Sequence, residues 1–389
     1  MTPANPGTPA DPGPLAVYLH WPYCARICPY CDFNVYRDRR EGEGEALVAA
    51  MVRDLEHWRD WTGPREVGSV HFGGGTPSLL TGAQLNVLIG AVARLWELPE
   101  TAEVALEANP NAVTADTVAD WSNAGLNRLS LGVQSFDDDV LRRLGRDHDG
   151  GQAVTAVERC VAAFRSVSAD LIFGVAGEGE RRLDADLDRL LALGVPHISA
   201  YQLTVEPGTS FAKAEARGER QVWGEAASAE GFERIHERLT GAGFRHYEVS
   251  NYARPGHESR HNLAYWRGRD YVGVGPGAHG RLWTREGRVA TETALRPADY
   301  IRRVEQTGTA ITERDALSAD EAAEEHVMMG LRIADGLSLS RLAAIRGTPA
   351  DIDPGLFEDG LLERDGDTLK ATAGGRLVLD ALTRAVLLG

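Results

Sequence analysis

Three of the chain's four cysteines, Cys24, Cys28 and Cys31, lie within eight residues of one another in the segment CARICPYCDF. Thiolates are soft ligands that suit zinc, copper(I) and iron–sulfur clusters. A structural zinc site normally takes four protein ligands, so here His20 or His71 would have to join the cysteines. A four-iron cluster on three cysteines would instead leave one iron without a protein ligand, an open position typical of catalytic and ligand-binding sites. The spacing therefore predicts a metal centre, which could be either a zinc site or a four-iron cluster.

The chain around this cluster alternates between short apolar strands and amphipathic helices. The predicted strands are 16–22, 69–74, 102–110, 128–136, 168–174 and 197–205. The predicted helices between them are 45–61, 82–96, 113–125, 137–144, 151–166 and 181–193. About six β/α units in a row predict an α/β fold, whose parallel sheet forms a barrel or part of one.

Polar residues of this chain fall at the carboxyl ends of the predicted strands, where parallel β/α folds gather their chemistry. They are Cys24 after the first strand, 73–78 (GGGTPS) after the second, Glu107 and Asn109 at the third, and Gln134 and Ser135 at the fourth. Glycine-rich turns are common in such folds. Polar residues at the ends of several successive strands are less common. We therefore expect one mouth of the sheet to bring these side chains together.

The pattern changes beyond about residue 210. A helix is predicted over 227–242, and 258–280 is dense in aromatic residues, histidine and glycine. From about 315 the chain is mostly helical, with helices over 319–336 and 339–345. The predicted parts are a flexible tail (1–14), a partial barrel (15–210), a barrel extension and connecting segment (211–312), and a smaller, mainly α-helical C-terminal domain (313–389).

Composition and charge exclude several function classes. With 389 residues, 43% hydrophobic and 25% charged, the chain is an ordinary globular protein. A net charge of −16 disfavours binding to nucleic acids or to an anionic membrane surface. No apolar run is long enough to cross a bilayer, and the first residues lack the features of a signal peptide. We therefore expect a cytoplasmic protein, in which Cys160, within an apolar helical stretch, is a core residue.

The CxxxCxxC spacing after a first strand resembles the signature of the radical S-adenosylmethionine superfamily. The resemblance implies a partial (β/α)6-type barrel in which Cys24, Cys28 and Cys31 hold a 4Fe–4S cluster. The amino and carboxylate groups of S-adenosylmethionine would occupy the fourth iron. The segment GGGTP (73–77) resembles the glycine segment of the superfamily. Its lack of Cβ atoms would let the backbone approach the methionyl amino group closely.

Longer segments resemble one family within this superfamily, that of oxygen-independent coproporphyrinogen III oxidase. They are YLHWPYCARICPYCDF, FGGGTPS, EANP, AGLNRLSLGVQSFDDDVLRRLGRDH, DLIFG, ESRHNLAYW and GPGAHG. The true oxidases carry a further cysteine two residues after the third, where this chain has Phe33. With Phe33 there, the chain resembles the second kind of protein in the family, the haem chaperone of the HemW type.

The resemblance to the chaperone kind implies that the protein binds haem and transfers it to haem-accepting proteins, such as respiratory ones. Contact with membrane-bound acceptors would then be transient, since no transmembrane segment is predicted. The alternative is the oxidase, which decarboxylates the propionates of coproporphyrinogen III by radical chemistry. A radical enzyme acting on another substrate, such as RNA, is disfavoured by the acidic charge.

The resemblance also carries over residues that would contact S-adenosylmethionine. They are Tyr18, Tyr30, Gly74, Gly75, Thr76, Glu107, Gln134, Arg146 and Asp170. Arg146 would pair with a carboxylate, which its fork geometry suits. Other roles remain open for two pairs of residues: the tyrosines could be barrel core, and Glu107 and Asp170 could form buried strand-end salt bridges.

For haem, the resemblance points to the HNxxYW motif of residues 261–266, with His261 as the candidate haem-binding residue. Imidazole is a usual axial ligand of haem iron, and Tyr265 and Trp266 could supply an apolar wall. The other interpretation is a histidine that caps a loop through backbone hydrogen bonds. His279 is a weaker haem candidate, and we expect His148 to be structural.

Overall fold

The computed structural model describes residues 12–37, 42–177 and 179–388. Most of the predicted tail, residues 1–11, lies outside them. The α/β fold class is confirmed: a parallel sheet with helices packed against it forms a partial barrel, and a mainly helical unit follows.

One sheet of twelve strands runs through most of the molecule. Its strands are β1 (Leu15–Trp21), β4 (Val67–Gly74), β5 (Glu103–Ala108), β6 (Arg128–Gln134), β7 (Ser166–Phe173), β8 (His197–Gln202), β9 (Arg245–Glu248), β10 (Asn251–Ala253), β11 (Tyr271–Val274), β12 (His279–Thr284), β13 (Gly287–Thr293) and β14 (Ile311–Ala316). Their order is β14-β13-β12-β11-β1-β4-β5-β6-β7-β8-β10-β9. The seven strands from β11 to β8 pair in parallel, and the flanking strands pair antiparallel. A separate short pair, β2 (Tyr23–Cys24) and β3 (Tyr36–Arg37), brackets the cysteine loop.

Helices cover the sheet and connect its strands. They are α1 (Glu43–Thr62), α2 (Gly82–Leu95), α3 (Ala115–Asn123), α4 (Asp138–Arg143), α5 (Gly150–Ala163), α6 (Glu180–Ala192), α7 (Ser210–Glu215), α8 (Glu225–Gly241), α9 (Arg260–Trp266) and α10 (Pro297–Thr307), with 3₁₀ turns at Pro77–Leu79 and Pro110–Ala112. Several begin at a capping box, as α2 does where the Thr81 hydroxyl accepts from Gln84 N and the Gln84 side chain accepts from Thr81 N. Such caps satisfy amides that would otherwise lack partners at the helix start. β1 is buried almost throughout, as expected of a parallel strand covered on both faces.

The C-terminal unit has its own core. It contains α11 (Ala319–Gly330), α12 (Leu339–Arg346), α13 (Gly355–Glu358), α14 (Ala373–Leu377) and α15 (Leu379–Leu388), with a small sheet of β15 (Leu337–Ser338), β17 (Thr368–Ala371) and β16 (Leu362–Asp365). Val327, Leu342 and Leu369 are buried in a cluster separate from that of the main sheet. The predicted boundary at 312/313 falls within β14. This strand pairs with β13, so the main sheet continues past the predicted boundary.

Candidate functional site

The three clustered cysteines open onto one cavity of about 410 Å³ at the mouth of the partial barrel, which we call the mouth cavity. Cys24 ends β2, while Cys28 and Cys31 lie in the loop between β2 and β3, where Cys31 N donates to Cys28 O at 3.2 Å. All the residues predicted to hold the cluster or S-adenosylmethionine line this cavity, except Tyr18. They are Cys24, Cys28, Tyr30, Cys31, Gly74, Gly75, Thr76, Glu107, Gln134, Arg146 and Asp170.

Burial disfavours free thiolates at two of the three loop cysteines. Burial raises the pKa of the Cys31 thiol to about 11 and also raises the pKa of Cys24. Metal ligation would remove these protons, since a coordinated cysteine is a thiolate. Arg146 Nη1 donates a hydrogen bond to Cys28 Sγ at 3.3 Å. This donor set therefore fits a 4Fe–4S cluster held by three cysteines.

The zinc alternative finds no support in the geometry. The His20 ring nitrogens lie 3.0 Å from Tyr18 Oη and 3.0 Å from Asn34 O, and His71 Nε2 lies 3.1 Å from Glu107 Oε1. Within the described ranges, no three His, Cys, Asp or Glu side chains are grouped so as to hold a single metal ion. Zinc ligation by His20 would require one of its two hydrogen bonds to break, whereas His71 keeps its Nδ1 without a partner among the described residues.

The glycine segment after β4 packs tightly against the cysteine loop. A Cβ on Gly74, whose φ is +109°, would lie 2.6 Å from His20 Cε1. A Cβ on Gly75 would lie 2.8 Å from Tyr23 O and 3.0 Å from Cys24 Sγ. The missing Cβ atoms therefore let this segment pack against His20 and against the backbone and sulfur at Tyr23 and Cys24. Gly74 and Gly75 also line the mouth cavity, so close approach to a ligand stays a prediction.

Gln134 and Arg146 line the mouth cavity, and each has one polar atom without a partner among the described residues. Gln134 is the one non-glycine residue with positive φ (64°) among those described, at an irregular register between β6 and β7. Its Oε1 and the Arg146 Nε are buried without a hydrogen-bond partner. The Arg146 Nη2 donates to Asn109 Oδ1 at 2.5 Å and to Gly132 O at 3.1 Å. Unpaired buried polar groups are costly, so a polar ligand in this cavity would be stabilised by them.

The two acidic residues predicted to contact S-adenosylmethionine have different surroundings. Glu107 accepts from Gly74 N at 3.3 Å and contacts His71, so part of its carboxylate is used by the glycine segment. Asp170 accepts from Ser130 Oγ at 3.1 Å and forms no ion pair with an arginine or lysine of the described residues. Burial raises its pKa to about 6. The alternative of a strand-end salt bridge therefore does not describe Asp170.

The aromatic residues near the cysteines separate into two groups. Tyr18 lies inside the barrel, with its hydroxyl bound to His20 Nδ1 and its ring stacked on His71, and does not line the mouth cavity. Tyr30 lines the cavity and packs on Phe211. Phe33 also lines it and is 63% exposed. The exposed phenyl ring of Phe33 therefore lies beside the cysteines and not in the core.

The HNxxYW motif forms α9, which is anchored inside the barrel. Glu103 accepts from Arg260 N and His261 N, both at 3.0 Å, and the Ser259 hydroxyl caps the helix. His261 is 1% exposed, with Nδ1 3.0 Å from Ser69 Oγ and Nε2 3.0 Å from Tyr265 Oη. Because both ring nitrogens are hydrogen-bonded, direct ligation of iron by His261 would require one of these bonds to break. Its bonds are to side chains, so it does not match the backbone-bonded alternative either.

A second cavity of about 420 Å³, which we call the side cavity, lies between the sheet and the C-terminal unit. Its lining includes Tyr201, Glu248, Asn251, Asn262, Tyr265, Trp266, Tyr271, Arg281, Trp283, Arg288, Glu325, His326, Met329 and Arg341. Asn262, Tyr265 and Trp266 belong to the HNxxYW motif predicted from the sequence, whereas the other lining residues were not predicted and come from separate segments. Tyr201 lines both cavities. It lies in the middle of the predicted strand 197–205 but next to the end of the observed β8, so the sequence pattern did not mark it.

The remaining histidine predictions fall outside both cavities. His279 is exposed at the start of β12 and lines neither cavity. His148 is buried, with Nε2 3.1 Å from Val133 O, and burial lowers its pKa to about 4. This is the structural role expected for it.

In the described part of the chain, no helix is both long and apolar enough to span a membrane.

Comparisons with known proteins agree with this architecture. Residues 18–190 match the family described as "Radical SAM superfamily", and residues 317–378 match "HemN C-terminal domain". The chain is 38% identical over 386 residues to a protein of Mycobacterium tuberculosis named "Heme chaperone HemW", covering 98% of this chain and 97% of that relative. It is 36% identical to the Escherichia coli protein of the same name, covering 96% of this chain and 98% of the relative.

Among solved structures, the chain resembles HemN of Escherichia coli, described as a coproporphyrinogen III oxidase and a radical SAM enzyme. The TM-score is 0.80, the sequence identity is 22%, and the match covers 97% of this chain and 91% of that one. At this identity the likeness concerns the fold alone.

Proposed function

This chain belongs to the HemW family of the radical S-adenosylmethionine superfamily, and from that premise we propose that it is a haem chaperone. It binds haem and transfers it to acceptor proteins, such as respiratory ones, in the cytoplasm. Cys24, Cys28 and Cys31 hold a 4Fe–4S cluster, and S-adenosylmethionine binds in the mouth cavity. When bound, these two groups can supply one-electron reductive chemistry.

The observation that carries this proposal is identity of 36–38% with chaperone relatives over nearly the whole of both chains. Phe33 supports it, because the resemblance places a fourth cysteine at this position in the true oxidases. The mouth cavity supports the cofactors, since its three thiols lie beside unpaired polar atoms of Gln134 and Arg146. The Arg146 guanidinium suits the methionyl carboxylate, and Asp170 suits a cationic group of the ligand.

Haem titration of the anaerobically reconstituted protein tests the function directly. We expect a Soret band that saturates at one haem per chain and haem transfer to an apo-form acceptor. With coproporphyrinogen III, S-adenosylmethionine and a reductant, we expect no protoporphyrinogen. Turnover of coproporphyrinogen III without haem binding would instead establish the oxidase alternative.

We expect the affinity for S-adenosylmethionine to depend on pH through Asp170, whose pKa is about 6 in the free protein. The ionised carboxylate attracts the cationic ligand, so binding lowers its pKa. Affinity should therefore rise as the pH increases towards 6 and level off above it. In Asp170→Asn, affinity should be lower and independent of pH over this range. Isothermal titration between pH 5 and 7.5 measures both.

Asp186→Asn is the matched control for this experiment. Burial also raises the pKa of Asp186 to about 6, but its carboxylate accepts from Ser135 Oγ at 2.6 Å and Phe136 N at 2.8 Å and does not line the mouth cavity. The variant should keep the pH dependence of the wild type. If Asp170→Asn also kept that dependence, Asp170 would not contact the ligand.

A further inference from the structure

The side cavity has the size and walls of a binding site for a flat ligand. Its volume of about 420 Å³ lies within the usual range for small-molecule sites, roughly 300–1,000 Å³. Tyr265, Trp266, Tyr271 and Trp283 form much of its wall, and the first and third of these rings pack 4.2 Å apart. Aromatic walls favour a planar, largely apolar ligand. Tyr201, which also lines the mouth cavity, places such a ligand beside the proposed S-adenosylmethionine site.

Among the described residues, one arginine that lines the side cavity, Arg341, forms no ion pair. Arg281 Nε donates to Glu325 Oε1 at 2.5 Å, and Arg288 Nε donates to the other oxygen at 3.5 Å. Arg341 lies over the Trp283 ring at 5.3 Å. Its Nε is buried without a hydrogen-bond partner, and it forms no ion pair with the residues that the structure describes. An unpaired, partly buried guanidinium is complementary to a carboxylate on the ligand.

The second acid in the wall, Glu248, does not neutralise Arg341. It accepts hydrogen bonds from Asn251 Nδ2 and, at 3.4 Å, from Ser250 N. Burial raises its pKa to about 7, so a substantial part of the population carries no charge at neutral pH. The free positive charge at Arg341 is therefore not balanced from this side of the cavity.

His326 supplies a lone pair at the same cavity. Its Nε2 lies 3.1 Å from Ser338 O, and because a carbonyl oxygen only accepts, Nε2 carries the proton. The lone pair is then on Nδ1, because the hydrogen bond found for this ring among the described residues is the one at Nε2. Burial lowers the pKa of His326 to about 4, so the ring is neutral at physiological pH. A neutral imidazole whose other nitrogen donates to a carbonyl is the arrangement that metal-ligating histidines adopt.

We infer that the side cavity holds the tetrapyrrole cargo, with Nδ1 of His326 as a ligand to its iron and Arg341 facing one of its carboxylates. This inference rests on the proposed function and names its haem site. It moves the iron ligand from His261, whose two nitrogens are already bonded, to His326 on α11. The HNxxYW motif contributes Asn262, Tyr265 and Trp266 to the wall instead.

Titration of ferric haem into full-length His326→Ala tests the iron ligand. We expect at least about a tenfold loss of affinity and a shifted Soret band, and added imidazole should restore the wild-type spectrum. His246→Ala is the matched control. His246 also has a pKa of about 4 and Nε2 at 3.1 Å from a carbonyl, that of Val249, but its Nδ1 accepts from Arg376 and it does not line the cavity.

Two outcomes would overturn this assignment, and they are distinguishable from failure of the proposed function. Wild-type affinity and spectrum in His326→Ala, with loss of binding in His261→Ala, would place the ligand at His261. Loss of binding in both His326→Ala and His246→Ala, without imidazole rescue, would show that the loss in His326→Ala does not come from a missing iron ligand. Absence of haem binding by the wild type would reject the chaperone function itself, and the haem site with it.

Haem and its dimethyl ester test the role of Arg341, because the ester lacks the carboxylates. The wild type should bind haem more tightly than the ester by about tenfold or more, and Arg341→Gln should remove this preference. Arg346→Gln, on the same helix, should keep it, since Arg346 donates to Leu387 O and does not line the cavity. A preference that persists in Arg341→Gln would exclude the proposed carboxylate contact.

Discussion

Replacing Cys28 with alanine is expected to leave the reconstituted protein without its 4Fe–4S cluster. Only three cysteines line the mouth cavity, and no fourth cysteine of the chain is near enough to replace one, because Cys160 is buried in α5. Arg146 would also lose the sulfur to which it donates. We expect iron and acid-labile sulfide to fall from about four of each per chain, the content of one cubane, to near zero. Cys24→Ala and Cys31→Ala should have the same effect.

Cys160→Ala is the control for the cysteine variants. Its thiol is fully buried among apolar side chains, and burial raises its pKa to about 12. It should therefore reconstitute with the iron and sulfide of the wild type. A Cys28→Ala protein that keeps this content would contradict the ligand assignment. Zinc in place of iron in the wild type, after reconstitution with both metals, would support the alternative left open by the spacing.

The parallel strands of the barrel were predictable because each β/α unit is encoded locally. β1, for instance, is a nearly continuous apolar run, and α2 begins at a Thr-x-x-Gln capping box. The polar residues at the strand ends could also be predicted to meet, since parallel strands present their carboxyl ends at one edge. Of the strand-end residues, all line the mouth cavity except Gly73, Ser78 and Ser135.

What could not be predicted depends on contacts between distant segments. The strands β9–β11 have only three or four residues, and β12–β14 are held by antiparallel pairing with β11 and with one another, so local sequence pattern does not predict these strands. The orientation of His261 is fixed by Ser69, which is 192 residues away. The side cavity draws its residues from 201 to 341. No local sequence pattern predicts that Arg341 and His326 line the same cavity.

Asp270→Ala is expected to cause the largest loss of stability among single substitutions near the side cavity. Asp270 is 2% exposed, and its Oδ2 accepts from Arg65 Nη1 at 2.6 Å. Its Oδ1 accepts from Trp283 N at 2.7 Å and Arg288 Nη1 at 3.5 Å. Removal of one partner leaves a buried charge uncompensated, which costs about 3–5 kcal/mol. We expect the midpoint of urea unfolding to fall accordingly.

Asp335→Ala provides the comparison that separates burial from pairing. Asp335 also pairs with an arginine, Arg267, at 2.5 Å, but the two side chains are 56% and 41% exposed. Exposed pairs contribute about 0–1 kcal/mol, so its unfolding midpoint should barely change. Equal midpoints for the two variants would show that Arg65 and Arg288 find other acceptors when Asp270 is removed. A large difference would show that Asp270 secures the segment between α9 and β12, and with it the wall of the side cavity.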